Sequence, residues 1–194
     1  MAVPEPVTFA GISCVSWRLA MPRKNILLLL EGGDRRTIGR SDEAVAIVSN
    51  DPRLFPELIA GLWSEDALVR MRAADATEKV TRRNRELLWP YKKELLGLMA
   101  EAKEQEVRWH LAVMVPRLLL NAKERQLATS LLNSYLDDRS SIVKTSALQG
   151  LADLAQNDPS IRPRVVEILR EAGRSGTAAM KARSRKLLFQ LERV

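Results

Sequence analysis

A nine-residue stretch, Gly33-Asp34-Arg35-Arg36-Thr37-Ile38-Gly39-Arg40-Ser41, comes nearest to a chemical motif in this chain. Two glycines ahead of a basic residue and a hydroxyl are the parts of a phosphate-cradling loop, where backbone N–H groups hold the phosphate and a lysine reaches its outer oxygens. Here the glycines stand one residue too far apart, and Arg40 takes the lysine's place. The stretch reads instead as a Gly-containing turn, with Ser41 capping a helix that opens on Asp42-Glu43. The chain has one cysteine, Cys14, and one histidine, His110. They allow no internal disulfide and no zinc framework, and they are too far apart in sequence for a Cys/His catalytic pair. No metal, no cofactor and no catalytic residue is expected. His110 has only Glu106 as a carboxylate on its own helix, so it is expected at the surface or rim rather than as a base.

Binding chemistry is better represented. Arg70, Arg108, Lys144 and Lys181 place one cation at each of four equivalent positions. Such a ladder could track phosphates, but a structural tie between neighbouring turns is the expected role of Arg70 and Arg108. Trp109 stands where the equivalent positions hold Met71, Thr145 and Ala182, and with Val113 it adds a second apolar face to one helix. That face is expected to pack on a neighbour rather than to be an exposed contact. The last helix turns Arg183, Arg185, Lys186 and Phe189 away from its apolar stripe, and the helix before it adds Arg162, Arg164, Arg170 and Arg174. These residues and Trp109 are the candidate partner-binding set.

The elements that position them repeat. Val69-Arg70, Val107-Arg108, Val143-Lys144 and Met180-Lys181 are spaced by 38, 36 and 37 residues. Small or apolar residues recur 4, 7, 8 and 11 positions after each, tracing one stripe of an α-helix. Ala, Gly and Ser recur in that stripe, as close helix crossings require. Pro56, Pro90, Leu127 and Pro163 fall in register between them, 34, 37 and 36 residues apart, where proline suits the first turn of a second helix. Ser64, Asn84, Asn121, Asp137-Asp138 and Asn157-Asp158-Pro159 punctuate the turns.

The segments VRMRAADA (69–76), VRWHLAVM (107–114) and VKTSALQG (143–150) resemble the first-helix signature of HEAT repeats, of the armadillo-like superfamily. The resemblance implies an all-α fold, a right-handed α-α superhelix of about four helix pairs plus a terminal helix. The expected division is an N-terminal extension over 1–40 with a short helix or turn, then a repeat domain over 41–194. Its units span about 41–63 (partial), 64–101, 102–137 and 138–173, with a final helix at 176–193. The family's Asp, five residues before the Val, is matched by Asp138 and replaced by Ser64, Ala102 and Ser175 elsewhere. HEAT-like repeats also build one class of alkylpurine DNA glycosylases, whose Trp, Asp and Arg constellation finds no residue-by-residue match here.

Composition bounds the rest. The net charge is +7, with the excess at the two ends: residues 41–107 hold 10 basic and 13 acidic side chains, residues 108–194 hold 15 and 8. That asymmetry points to an anionic partner or to an Arg-rich solvated surface. The longest apolar run, Ile26–Leu30, is far too short to span a bilayer, and no membrane association is expected. No Lys or Arg precedes the apolar stretch near Val7–Trp17, so a cytoplasmic location is expected; Met21, before Pro22-Arg23-Lys24, is a second candidate start. The expected function is a non-enzymatic scaffold for a protein partner, with nucleic-acid binding through the basic C-terminal half as the alternative.

Overall fold

The computed structural model describes residues 25–34 and 36–193; Cys14, Met21 and Arg35 lie outside them. The described residues are all-α, without a strand. Their α-helices are α1 (Ser41–Asn50), α2 (Phe55–Ala60), α3 (Ala67–Thr81), α4 (Lys92–Glu101), α5 (Gln105–Met114), α6 (Ala122–Tyr135), α7 (Ser141–Asn157), α8 (Arg162–Ser175) and α9 (Ala178–Leu191). None of them is long and apolar enough to cross a membrane.

Local chemistry sets the helix ends. Asp66 accepts from the Leu68 N–H at 2.8 Å to open α3. Asn121 and Glu124 form a reciprocal capping box on α6, and Thr177 caps α9. Pro56 and Pro163 sit in the first turns of α2 and α8. Pro90 departs from that pattern: it lies inside a 3₁₀ segment, Arg85–Tyr91, that precedes α4. Leu127 is exposed in the second turn of α6, so its register with the prolines is not a shared first-turn position. Ser41 is the first residue of α1 rather than its cap, and its hydroxyl turns inward to Asp75 Oδ2 at 2.5 Å.

The odd-numbered helices form a row: α3 packs between α1 and α5, α5 between α3 and α7, and α7 between α5 and α9. Each even-numbered helix packs on the odd-numbered helix that follows it. The apolar stripe faces inward throughout the row. Val69, Ala73, Ala76, Thr77 and Val80 of α3 are buried, as are Val107, Leu111, Met114, Val115 and Leu118 in and after α5. Val143, Ala147, Gly150, Leu151 and Leu154 of α7 are buried too. On α9, Ser184, Leu187 and Leu191 are buried while Met180 and Leu188 are half-buried. A large apolar side chain so placed contributes about 1.5–3 kcal/mol relative to exposure.

Polar ties join neighbouring odd-helix turns. Arg70 pairs with Glu104 and also donates to the Ser64 and Glu65 carbonyls at 2.6 and 2.9 Å. Arg108 pairs with Asp138 and lies 4.0 Å over the Tyr135 ring. The third junction is uncharged, a 2.8 Å hydrogen bond between the Ser141 and Thr177 hydroxyls. Glu104 thus does from three residues before its Val what Asp138 does from five. Lys144 and Lys181 have no ion pair among the described residues.

The Gly-containing loop is held by protein. Arg72, 1% exposed, sends its guanidinium into it and donates to the carbonyls of Leu30 (2.8 Å), Gly32 (2.5 Å) and Asp34 (3.1 Å). Gly39, at φ +54°, lies so close that a Cβ there would meet the guanidinium carbon at 2.7 Å. The loop therefore wraps its carbonyl oxygens around an arginine, and α1 begins immediately behind it.

Candidate functional site

The nominated partner-binding residues separate into three places. Trp109 and Arg183 come together on the face of the odd-helix row. Trp109 is half-buried, and its ring stacks on His110 of the same helix with centroids 3.5 Å apart. The arginines of α8 are mostly committed locally. Arg164 pairs with Glu167 at 3.0 Å, Arg174 with Glu171 at 2.5 Å and Arg170 with Glu192 at 3.6 Å. Arg162 is half-buried and donates to the Ala155 carbonyl at 3.3 Å. The third place is the outer side of α9. Arg185 and Lys186 are exposed without an ion pair among the described residues, and Phe189 is 57% exposed beneath the Arg193 guanidinium, 3.9 Å from its ring.

Around Trp109 the row of helices forms a depression of about 370 Å³. α3 contributes Glu78 and Arg82; α5 and the turn after it contribute Trp109, Val113 and Arg117. α7 contributes Ser146, Gln149 and Asp153, and α9 contributes Arg183. Glu78, 2% exposed, is gripped from both sides: Arg117 Nη2 donates to Oε1 at 2.5 Å and Arg82 Nη2 lies 2.6 Å from Oε2. Burial works against its charge, but the Arg82 and Arg117 hydrogen bonds outweigh it and hold the carboxyl below its ordinary range. Arg117 also donates to the Glu78 carbonyl at 2.9 Å, tying the end of α5 to α3.

Asp153 is held differently. Burial pushes its carboxyl up, partly opposed by a hydrogen bond from Gln149 and by the charges of Arg117 and Arg183. Gln149 Nε2 donates to Oδ1 at 2.7 Å, and Gln149 Oε1 accepts from Arg183 Nη1 at 2.6 Å. An amide thus stands between the cation and the carboxylate. Oδ2 of Asp153 has no hydrogen bond or ion pair among the described residues.

His110 corrects the expectation of a rim residue. It is 2% exposed, because α5 has a helix on each side in the row. Burial pushes its pKa down to about 4, against the Asp75 and Glu78 carboxylates of α3, which favour the cation. Nδ1 has no hydrogen-bond partner among the described residues. A neutral, enclosed imidazole backing the Trp109 ring is placed to support that ring rather than to move protons.

The polar lining was missed by reasoning that followed the apolar stripe alone. A second stripe lies 3, 6 and 10 positions after the repeat's apolar residue. It reads Arg72, Asp75, Lys79; His110, Val113, Arg117; Ser146, Gln149, Asp153; and Arg183, Lys186, Gln190. At 100° per residue those offsets share a face turned roughly a quarter circle from the apolar stripe. Reading that face across all four helices would have found Arg117, Ser146, Gln149 and Asp153. Among the described residues, no group of three or more His, Cys, Asp or Glu side chains is arranged to hold a metal ion. No protein-family model matches the chain, and neither does any curated protein.

Proposed function

We propose that the chain is a non-enzymatic HEAT-like scaffold, a right-handed superhelix of stacked helix pairs that binds a protein partner. The observation that supports this most is the use made of its arginines. Arg70 and Arg108, which could have formed a phosphate track, are ion-paired across successive turns. On α8, Arg164, Arg170 and Arg174 face glutamates. Cations matched locally along these turns and on α8 are drawn away from a nucleic-acid backbone, whose binding draws on long runs of unpaired cations, whereas a protein partner can combine a few cations with apolar contacts. The face proposed for binding is that of α3, α5, α7 and α9, where the depression around Trp109 lies.

Affinity capture of the native protein, with and without nuclease, tests the reading. The same protein partner retained under both conditions is the expected outcome; loss of every partner on nuclease treatment overturns it. Arg185 and Lys186, exposed and without an ion pair among the described residues, favour nucleic-acid binding as the second reading. That reading requires duplex or single-stranded binding whose logarithmic affinity falls with salt by about 0.7–0.9 per phosphate neutralised.

A further inference from the structure

Three properties of the depression restrict what it can receive. Its volume, about 370 Å³, lies at the small end of the roughly 300–1,000 Å³ typical of ligand pockets. Its wall is the ring of Trp109 and the side chain of Val113, while its polar groups are Asp153, Gln149 and Ser146. Arg82, Arg117 and Arg183 against Glu78 and Asp153 leave the lining one formal positive charge in excess.

The open oxygen of Asp153 selects among occupants. A half-buried carboxylate that loses its remaining water is destabilised unless a donor replaces it. The cations nearby are engaged elsewhere, Arg117 with Glu78 and Arg183 with Gln149. A purely apolar group would close the depression and leave Oδ2 unmet. A lysine or arginine would satisfy Oδ2 but would enter past three guanidinium groups. A phenol meets every condition: its ring lies against Trp109 and Val113, and its neutral O–H reaches the carboxylate. Acidic residues on either side of that ring would complement Arg183 and the largely exposed guanidinium of Arg82.

We propose that the depression is a docking pocket for a tyrosine set in an acidic stretch of the protein partner. The inference rests on the scaffold reading and gives it a site and a partner chemistry. Tyrosine is among the residues that dominate interface energetics when its ring and hydroxyl are both accommodated.

The probes are three labelled peptides: Glu-Glu-Glu-Tyr-Glu-Glu-Glu, the same peptide with Phe for Tyr, and the Tyr peptide with Lys for Glu. Fluorescence anisotropy with the full chain is expected to show binding of the first. Phe for Tyr weakens it about tenfold or more, as loss of a hydrogen bond to a charged acceptor requires. Lys for Glu abolishes it. Trp109→Ala removes binding, and the near-isosteric Asp153→Asn weakens it about tenfold with an unchanged circular dichroism spectrum. Arg53→Ala, at an exposed arginine paired with Asp51, changes it less than threefold. Equal binding of the Phe peptide, preference for the Lys peptide, or indifference to Asp153→Asn overturns the proposal. So does binding of single-stranded DNA that Trp109→Ala abolishes while the Tyr peptide fails to bind. Capture separates the two readings. A folded Trp109→Ala chain that retains the wild-type partner sinks the pocket and leaves the scaffold. A wild-type chain that retains no protein after nuclease sinks the scaffold.

Discussion

Gly150 of α7 lies against the backbone of Ala112 on α5: a Cβ at Gly150 would stand 2.3 Å from the Ala112 carbonyl oxygen and 2.9 Å from a Leu132 methyl carbon. A backbone oxygen cannot step aside as a flexible side chain can, so α5 and α7 must separate to admit one methyl. Gly150→Ala is expected to cost about 1 kcal/mol net and at most about 2, an overpacking term of roughly 1–3 kcal/mol partly offset by about 1 kcal/mol of better helix propensity. Gly97 in α4 has nothing within 4 Å of a Cβ. Gly97→Ala should stabilise by about 0.5–1 kcal/mol through propensity alone. Urea denaturation of both variants checks the pair, and shifts of the same sign would contradict this account of the α5–α7 crossing.

Arg108 serves two groups at once, the Asp138 carboxylate and the Tyr135 ring, and Tyr135 in turn donates to the Met99 carbonyl at 2.6 Å. The Asp138 side chain is 8% exposed, so removing its partner leaves a poorly hydrated charge. Arg108→Ala is expected to cost about 2–3 kcal/mol, more than the exposed Arg164→Ala, which should stay within about 0.5 kcal/mol. Equal melting temperatures for the two variants would show that the tie is ornamental.

Arg72 is the buried anchor of the loop that resembles a phosphate cradle. Arg72→Met keeps length and apolar bulk but withdraws the donors that the Leu30, Glu31, Gly32 and Asp34 carbonyls use. Hydrogen exchange over residues 30–40 should then accelerate at least tenfold, while α5 to α9 stay protected. Trypsin should cut first after Arg36 or Arg40. Protection of the wild-type loop by a nucleoside triphosphate would contradict the arginine-filled geometry.

The legibility of the fold and of the site differ for a physical reason. Burial imposes a 3.6-residue period, so Val69, Val107, Val143 and Met180 announce the odd-helix row by their spacing. The depression has no such single-helix signature. Ser146, Gln149 and Asp153 look like an ordinary solvated face of α7, as Glu78 and Arg82 do of α3. They acquire a shared environment only because α3, α5, α7 and α9 pack side by side. Trp109 was visible as an exception to its register. His110 was misplaced because its enclosure is set by α3 and α7 on either side, which its own helix does not encode.

His110 makes an acid-sensitive prediction whose direction follows from its environment. Unfolded, the imidazole titrates near 6.5; folded, burial holds it at about 4. Between these values the unfolded chain binds a proton that the folded chain refuses. Stability is therefore complete above about pH 6.5 and falls as pH drops toward 4, by up to about 3 kcal/mol from this group. Glu78 and Glu104, held low by their arginines, add to the loss as pH falls through the ordinary glutamate range, at the acid end of that window and below it. Asp153 acts oppositely, since a carboxyl raised by burial favours the folded state on acidification. Asp75 and Glu78 attract the imidazolium while Lys79 and Arg82 repel it, and none of these outweighs burial. His110→Gln should flatten the stability profile between pH 4.5 and 6.5 even where it lowers overall stability. Chemical denaturation at four pH values across that range checks the slope, and an unchanged slope in the variant would assign the acid sensitivity to another group.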